Sequence, residues 1–159
     1  MRKTLLFVVL MTSLCAGTAA AQATSASPAQ MSDKEAVRIP LENYIKGHAT
    51  GDGEYMRKAF HTEGNLIFVR DGNFMTRSFA DYISGFNGKP AADEANRKRS
   101  IDAVDVSGNA AVAKIILDYP TTRFVDYMSL LKINGEWKIV TKIFYAEPKM
   151  KPADSKKAQ

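Results

Sequence analysis

Cysteine is almost missing from this 159-residue sequence, which has one, Cys15, beside only two histidines and one tryptophan. One thiol closes no internal disulfide, and His48 and His61 lack HExxH spacing, so neither a metal site nor another cofactor is expected. P-loop, GxGxxG and GxSxG patterns are also missing, which argues against the commonest nucleotide-binding and serine-hydrolase routes. Long hydrophobic runs are lacking too. The apolar stretch from Leu5 to about Leu14 is too short to span a bilayer, so no stable membrane insertion is expected. Arg97-Lys98-Arg99 is basic but has no interleaved aromatics, and reads as a solvated loop rather than a nucleic-acid surface.

What the N-terminus does contain is an export signal. Arg2 and Lys3 precede the apolar stretch, and small residues lead to two Ala-x-Ala sites, before Gln22 and before Thr24. Residues 1–23 are therefore expected to be a removable signal peptide, and the protein periplasmic or secreted. Leu14 stands where a lipobox needs a small residue, so Cys15 is not expected to carry lipid. It leaves with the signal. The formal charge of +5 becomes +3 without Arg2 and Lys3, and residues 149–159 read as a basic disordered tail.

About 135 residues remain, enough for one hydrophobic core. Residues 24–31 read as a flexible leader, and residues 32–148 as the domain. Ser32 and Glu35 make a capping box, after which Val37, Leu41, Tyr44, Ile45 and His48 recur at helical spacing, with a kink expected at Pro40. Asp52 caps a second helix carrying Tyr55, Met56, Ala59 and Phe60. Asp71-Gly72 joins two short strands, 66–70 and 73–77, and Ser78 with Asp81 starts a third helix. Residues 87–99 read as a surface loop. Four strands follow, 100–106, 110–119, 123–133 and 136–145, with turns at Gly108-Asn109 and Asn134-Gly135. Three N-terminal helices against one side of a mainly antiparallel sheet make an α+β fold.

This order resembles the nuclear transport factor 2-like superfamily, through Asp126-Tyr127-Met128-Ser129-Leu130-Leu131-Lys132 and then Asn134-Gly135-Glu136-Trp137-Lys138-Ile139-Val140 with Lys142. Gly51-Asp52, Ala59-Phe60-His61 and Asp105-Val106-Ser107-Gly108-Asn109 look like its bacterial lumazine-binding branch. The resemblance covers about Asp33 to Pro148. It implies a curved sheet wrapped around three helices as an open cone, a pocket inside and frequent dimerisation. It implies no single activity, because relatives include isomerases, dehydratases, epoxide hydrolases, polyketide cyclases and plain binding modules.

A two-residue turn at Asn134-Gly135 pairs Ile133 with Glu136 and fixes every pair behind it. One face then holds Phe124, Asp126, Met128, Leu130 and Lys132 beside Trp137, Ile139, Thr141, Ile143 and Tyr145. The other holds Val125, Tyr127, Ser129, Leu131 and Ile133 beside Lys138, Val140, Lys142 and Phe144. The Trp137 face is assigned to the interior and the Tyr127 face to a homodimer partner. Asp126 then lies among apolar groups, where an unpaired carboxylate should have a raised pKa and suit general acid–base work, with His61 as a possible partner at the pocket mouth. Alternatively Asp126 accepts hydrogen bonds from a tyrosine or histidine and orders the core, and His61 sits against a helix end.

Tyr44, His48, Tyr82, Tyr119, Met128, Trp137 and Tyr145 are the candidates for contacting a small apolar or aromatic molecule, although each also suits a plain core position. The leading reading is an exported small-molecule-binding domain. Its alternative is a proton-transfer enzyme of isomerase, dehydratase or cyclase type. N-terminal sequencing of the exported protein should begin at Gln22 or Thr24, and an intact Met1 in the membrane-free mature pool would refute the export reading.

Overall fold

A computed structural model describes residues 31–149. The expected signal peptide, most of the leader and the tail beyond Lys149 lie outside the described residues. The chain begins with helices α1 (Asp33–Ala36), α2 (Arg38–Thr50) and α3 (Gly53–Ala59), then the hairpin β1 (Phe60–Arg70) and β2 (Asn73–Ser78). Helix α4 (Phe79–Ile83) and a 3-10 turn (Glu94–Asn96) lead to β3 (Lys98–Ser107), β4 (Ala110–Asp118), β5 (Thr122–Ile133) and β6 (Glu136–Pro148). The expected α+β order is present.

Glu35 accepts hydrogen bonds from the Ser32 amide and hydroxyl at 3.1 and 2.8 Å. The helix breaks at Val37 rather than bending at Pro40. Pro40 has no N–H to give the carbonyl of Ala36, so the ladder fails one turn earlier than the ring itself. Asp52 caps α3 by accepting the Glu54 N–H at 2.8 Å, and Ser78 accepts the Asp81 N–H at 3.0 Å to start α4. Asp71-Gly72 and Asn134-Gly135 all have positive φ, the geometry of tight hairpin turns.

The six strands form one sheet in the order β2-β1-β6-β5-β4-β3. Only β1 and β6 pair in parallel. One face packs against the helices through Leu41, Tyr44, Met56, Phe79, Ile115, Leu130 and Ile139, all essentially inaccessible to solvent. Phe60 and Phe79 stack at 3.9 Å between ring centres where α4 meets β1.

The register of the last hairpin is not regular, and this corrects the expected faces. Pairing runs from Ile133 with Glu136 to Leu130 with Ile139, then resumes at Ser129 with Thr141. Val140 is thus an extra residue, a β-bulge, and it reverses the parity of everything after it. Thr141, Ile143 and Tyr145 turn to the outer face, while Lys142 and Phe144 join Asp126 and Phe124 inside. The bulge has a partner in β1, whose pairing with β6 also slips between Phe60 and Asn65. Gly64 lies there, and a Cβ on it would come within 2.3 Å of the Phe79 ring and 2.6 Å of the Val140 carbonyl. A second bulge falls at Asp102, between the Ile101 and Ala103 pairs of β3. Strand β3 also starts earlier than expected. Arg99 is therefore a strand residue on the interior face, opposite Leu117, rather than part of a solvated loop.

Candidate functional site

Asp126 in the middle of β5 is fully buried. Its Oδ2 accepts a hydrogen bond of 2.5 Å from the Tyr44 hydroxyl on α2 and pairs with Lys142 Nζ on β6 at 3.0 Å. Lys142 Nζ also donates to the Tyr44 oxygen at 2.8 Å. Three polar groups from three elements thus close on one another inside an apolar core. Of the two readings of this carboxylate from the sequence, the one in which it accepts from a tyrosine is what is found, and a cation that neither reading named lies beside it. Its Oδ1 has no donor within reach among the described residues. Burial pulls the Lys142 amine below the ordinary lysine range, opposed by the charge and hydrogen bond of Asp126. Burial first, and then the Asp126 charge, holds the Tyr44 hydroxyl well above the ordinary tyrosine range, so it stays a neutral donor.

Lys142 forms one wall of a cavity of about 250 Å³ between α2, α4 and the interior face of the sheet. Phe68, Phe124 and Phe144 line it with Leu66, Leu117, Tyr82, Tyr119 and His48, and Arg70 and Arg77 add positive charge. The Phe68 and Phe144 rings lie 5.2 Å apart and the Tyr119 and Phe124 rings 5.8 Å apart, which makes much of the lining aromatic. His48 Nε2 and the Tyr82 hydroxyl share a hydrogen bond of 2.8 Å. Burial, followed by the charges of Lys142, Arg99 and Arg97, holds the His48 imidazole well below its ordinary value and keeps it neutral.

Arg99 braces this wall. Its guanidinium grips Glu94 through two hydrogen bonds of 2.6 and 2.7 Å. It also donates to the Tyr119 hydroxyl and the His48 carbonyl, each at 3.3 Å. Arg97 lies over the Tyr119 ring at 4.2 Å. One planar fork therefore ties the end of α2 to the strand end that carries Tyr119.

Of the residues singled out from the sequence, His48, Tyr82 and Tyr119 line the cavity. Tyr44 and Asp126 lie behind its wall, both touching Lys142, and the Tyr44 ring also packs edge-on against His48, 4.7 Å between ring centres. Met128 is buried in the core. Trp137 is buried near α1, where its Nε1 donates to Asp33 at 3.4 Å. Tyr145, 64% exposed, sits on the opposite face of the sheet because of the bulge. His61 belongs to β1 and lines a different cavity with Arg57, Phe79 and Ile83, its Nδ1 accepting the Glu63 N–H at 3.3 Å. It shares no cavity with Asp126. Sequence reasoning missed Lys142 and Phe144, since strand alternation put both outside. It also missed Phe68 and Phe124 as lining residues and Arg99 as a brace. Two signals were available: a lysine in an otherwise apolar strand segment, and the alternation of Arg99 with Ile101. Among the described residues no group of three His, Cys, Asp or Glu side chains is placed to hold a metal ion.

The sequence profile of the family described as Putative lumazine-binding matches residues 32–145. This chain belongs to that family. It is a branch of the nuclear transport factor 2-like superfamily, and solved structures agree on the fold. A nuclear transport factor 2-like protein of unknown function from Shewanella baltica superposes with a TM-score of 0.65 at 28% identity, covering 73% of this chain and 94% of that one. One from Silicibacter pomeroyi gives 0.63 at 22% identity, over 74% and 100%. The aldolase FrzH of Cladobotryum sp. is 25% identical over 120 residues, 74% of this chain and 94% of FrzH. The bulged sheet described above is thus the wall of a nuclear transport factor 2-like cone.

Within this cone the buried pair can be tested by stability. Lys142→Met leaves Asp126 buried without its cation, and breaking a buried pair from one side costs about 3–5 kcal/mol. Thermal melts at neutral pH should show a drop on the order of 10 °C. The double variant Asp126→Asn/Lys142→Met removes both charges and should melt higher than Lys142→Met alone.

Proposed function

We propose that this protein is an exported binding domain that takes a small, flat, aromatic or apolar molecule into the cavity between α2, α4 and the sheet. The observation that carries this reading is the cavity itself: aromatic on several sides, positively charged at Arg70, Arg77 and Lys142, and about 250 Å³ in volume. Ligand pockets for drug-sized molecules start near 300 Å³, so the guest is a molecule of one or two rings. The cations favour an electron-rich or anionic substituent on it. The family description names lumazine, a flat bicyclic heteroaromatic, which has this shape.

An enzyme of proton-transfer type is the second reading, and the aldolase name of the FrzH relative is the observation in its favour. Against an Asp126–His61 couple stands their separation into different surroundings, Asp126 behind the cavity wall and His61 in another cavity. Binding is the simpler use of a site whose carboxylate is already engaged by a lysine and a tyrosine.

The outer sheet face supports a homodimer, although with a different composition from the one expected. Phe144 is inside and Val140 is at the bulge, and the exposed apolar residues are Val112, Tyr127, Leu131, Ile143 and Tyr145. Several of them border a shallow groove of about 520 Å³ that also includes Ala103, Ser129 and Thr141. A contiguous apolar face of this kind suits a second copy of the chain.

Two measurements test these proposals. Lumazine fluorescence polarisation should report one bound molecule per chain, and Phe124→Ala should weaken it by about tenfold, equivalent to ~1.4 kcal/mol. No binding of lumazine or of any other one- or two-ring aromatic would overturn the cavity reading. Light scattering at micromolar concentration should show a dimer that Tyr127→Glu converts to a monomer.

A further inference from the structure

Lys142 is placed as a binding lysine ordinarily is not. A lysine that only attracts an anion keeps its ammonium in water and its stem along the surface. Here the residue is 4% exposed, with Nζ lying 4.9 Å from the Phe144 ring centre and 5.2 Å from that of Tyr44. It lines the aromatic cavity on one side and touches a carboxylate, the natural acceptor for one of its protons, at 3.0 Å on the other. Tyr44 bridges the two, 2.5 Å from Asp126 and 2.8 Å from Lys142.

We propose that Lys142 is an amine nucleophile that captures a small aromatic aldehyde or ketone in the cavity as a Schiff base. This rests on the reading of the cavity as a small-molecule site. Asp126 takes a proton from the ammonium, and the free amine adds to the carbonyl carbon. A C–N bond forms as the carbonyl π bond breaks, and the oxygen receives the proton that nitrogen gives up, leaving a carbinolamine. Asp126 then returns its proton to the carbinolamine nitrogen, which passes it to the hydroxyl, the C–O bond breaks, and water leaves from a protonated imine. The overall change is ammonium plus carbonyl to iminium plus water, with no oxidant or reductant. Asp126 and Tyr44 are positioning and proton-holding residues, since neither lines the cavity. Desolvation lowers the lysine pKa, which favours the free amine the addition needs.

Benzaldehyde serves as the probe, with sodium borohydride to reduce the imine, followed by intact mass and peptide mapping. Wild-type protein should gain one benzyl group per chain on Lys142, at least about tenfold faster than any surface lysine is labelled. Benzyl alcohol, which fits the same space but has no carbonyl, should protect Lys142 and leave surface labelling unchanged. Lys142→Arg keeps a cation opposite Asp126 and should lose the benzyl adduct while surface lysines are labelled as in the wild type. If that variant does not fold, protection of the wild-type protein still decides the matter. Benzyl alcohol binding in the cavity with Lys142 labelled no faster than the surface lysines would overturn the covalent proposal and leave the cavity reading standing. Failure of both probes to bind while lumazine still binds would overturn the covalent proposal alone, and failure of all three would overturn the two together.

Discussion

Asp126 and Lys142 have to face one another, because neither charge is tolerable alone in this interior. They come from neighbouring strands, and in an uninterrupted ladder their side chains would point to opposite faces. The extra residue at Val140 removes that conflict. It turns Lys142 inward beside the carboxylate, brings Phe144 in behind it, and sends Ile143 and Tyr145 out. The irregularity in β1 at Gly64 accommodates the change, since the Val140 carbonyl and the Phe79 ring occupy the space a side chain would need there. One glycine, one bulge and one ion pair form a single arrangement.

The cavity inherits its character from that arrangement. Phe144 faces Phe68 and Phe124 because β6 changed parity, and Lys142 supplies a positive charge beside them. The opposite wall is held differently. Arg99 binds Glu94, the Tyr119 hydroxyl and the His48 carbonyl at once, so the end of α2 and the aromatic ring beyond β4 keep a fixed separation. With His48 neutral and Tyr82 bonded to it, the interior is a cationic, aromatic chamber closed at the back by one carboxylate.

Much of the architecture follows from local chemistry. Ser32, Asp52 and Ser78 mark helix starts because their side chains interact with the first helical turn or with each other across it, and Asp71-Gly72 and Asn134-Gly135 mark tight turns because those residues tolerate positive φ. Helix order, the hairpins, the α+β class and the family are accordingly legible in the linear sequence. Asp126 stood out for the same reason, as a charge in an apolar strand. Three residues of the cavity lining, His48, Tyr82 and Tyr119, were reached through helix spacing and strand ends, which a bulge further along the chain does not disturb.

The site itself was decided by tertiary structure. Strand alternation carries a face assignment forward only while pairing stays regular, and the bulge at Val140 is set by its pairing with β5 and β1 rather than by a turn residue of its own. Lys142 and Phe144 were therefore read as outside and Tyr145 as inside, when the sheet does the reverse. Arg99 was lost for a related reason, since a basic run looks solvated until the fold supplies Glu94 and Tyr119 to receive it. The sequence by itself determined which elements form and in what order, because caps, turns and periodicity are short-range. Which charges meet in the interior was decided by the sheet, because only pairing between distant strands can make one extra residue in β6 tolerable opposite Gly64 in β1.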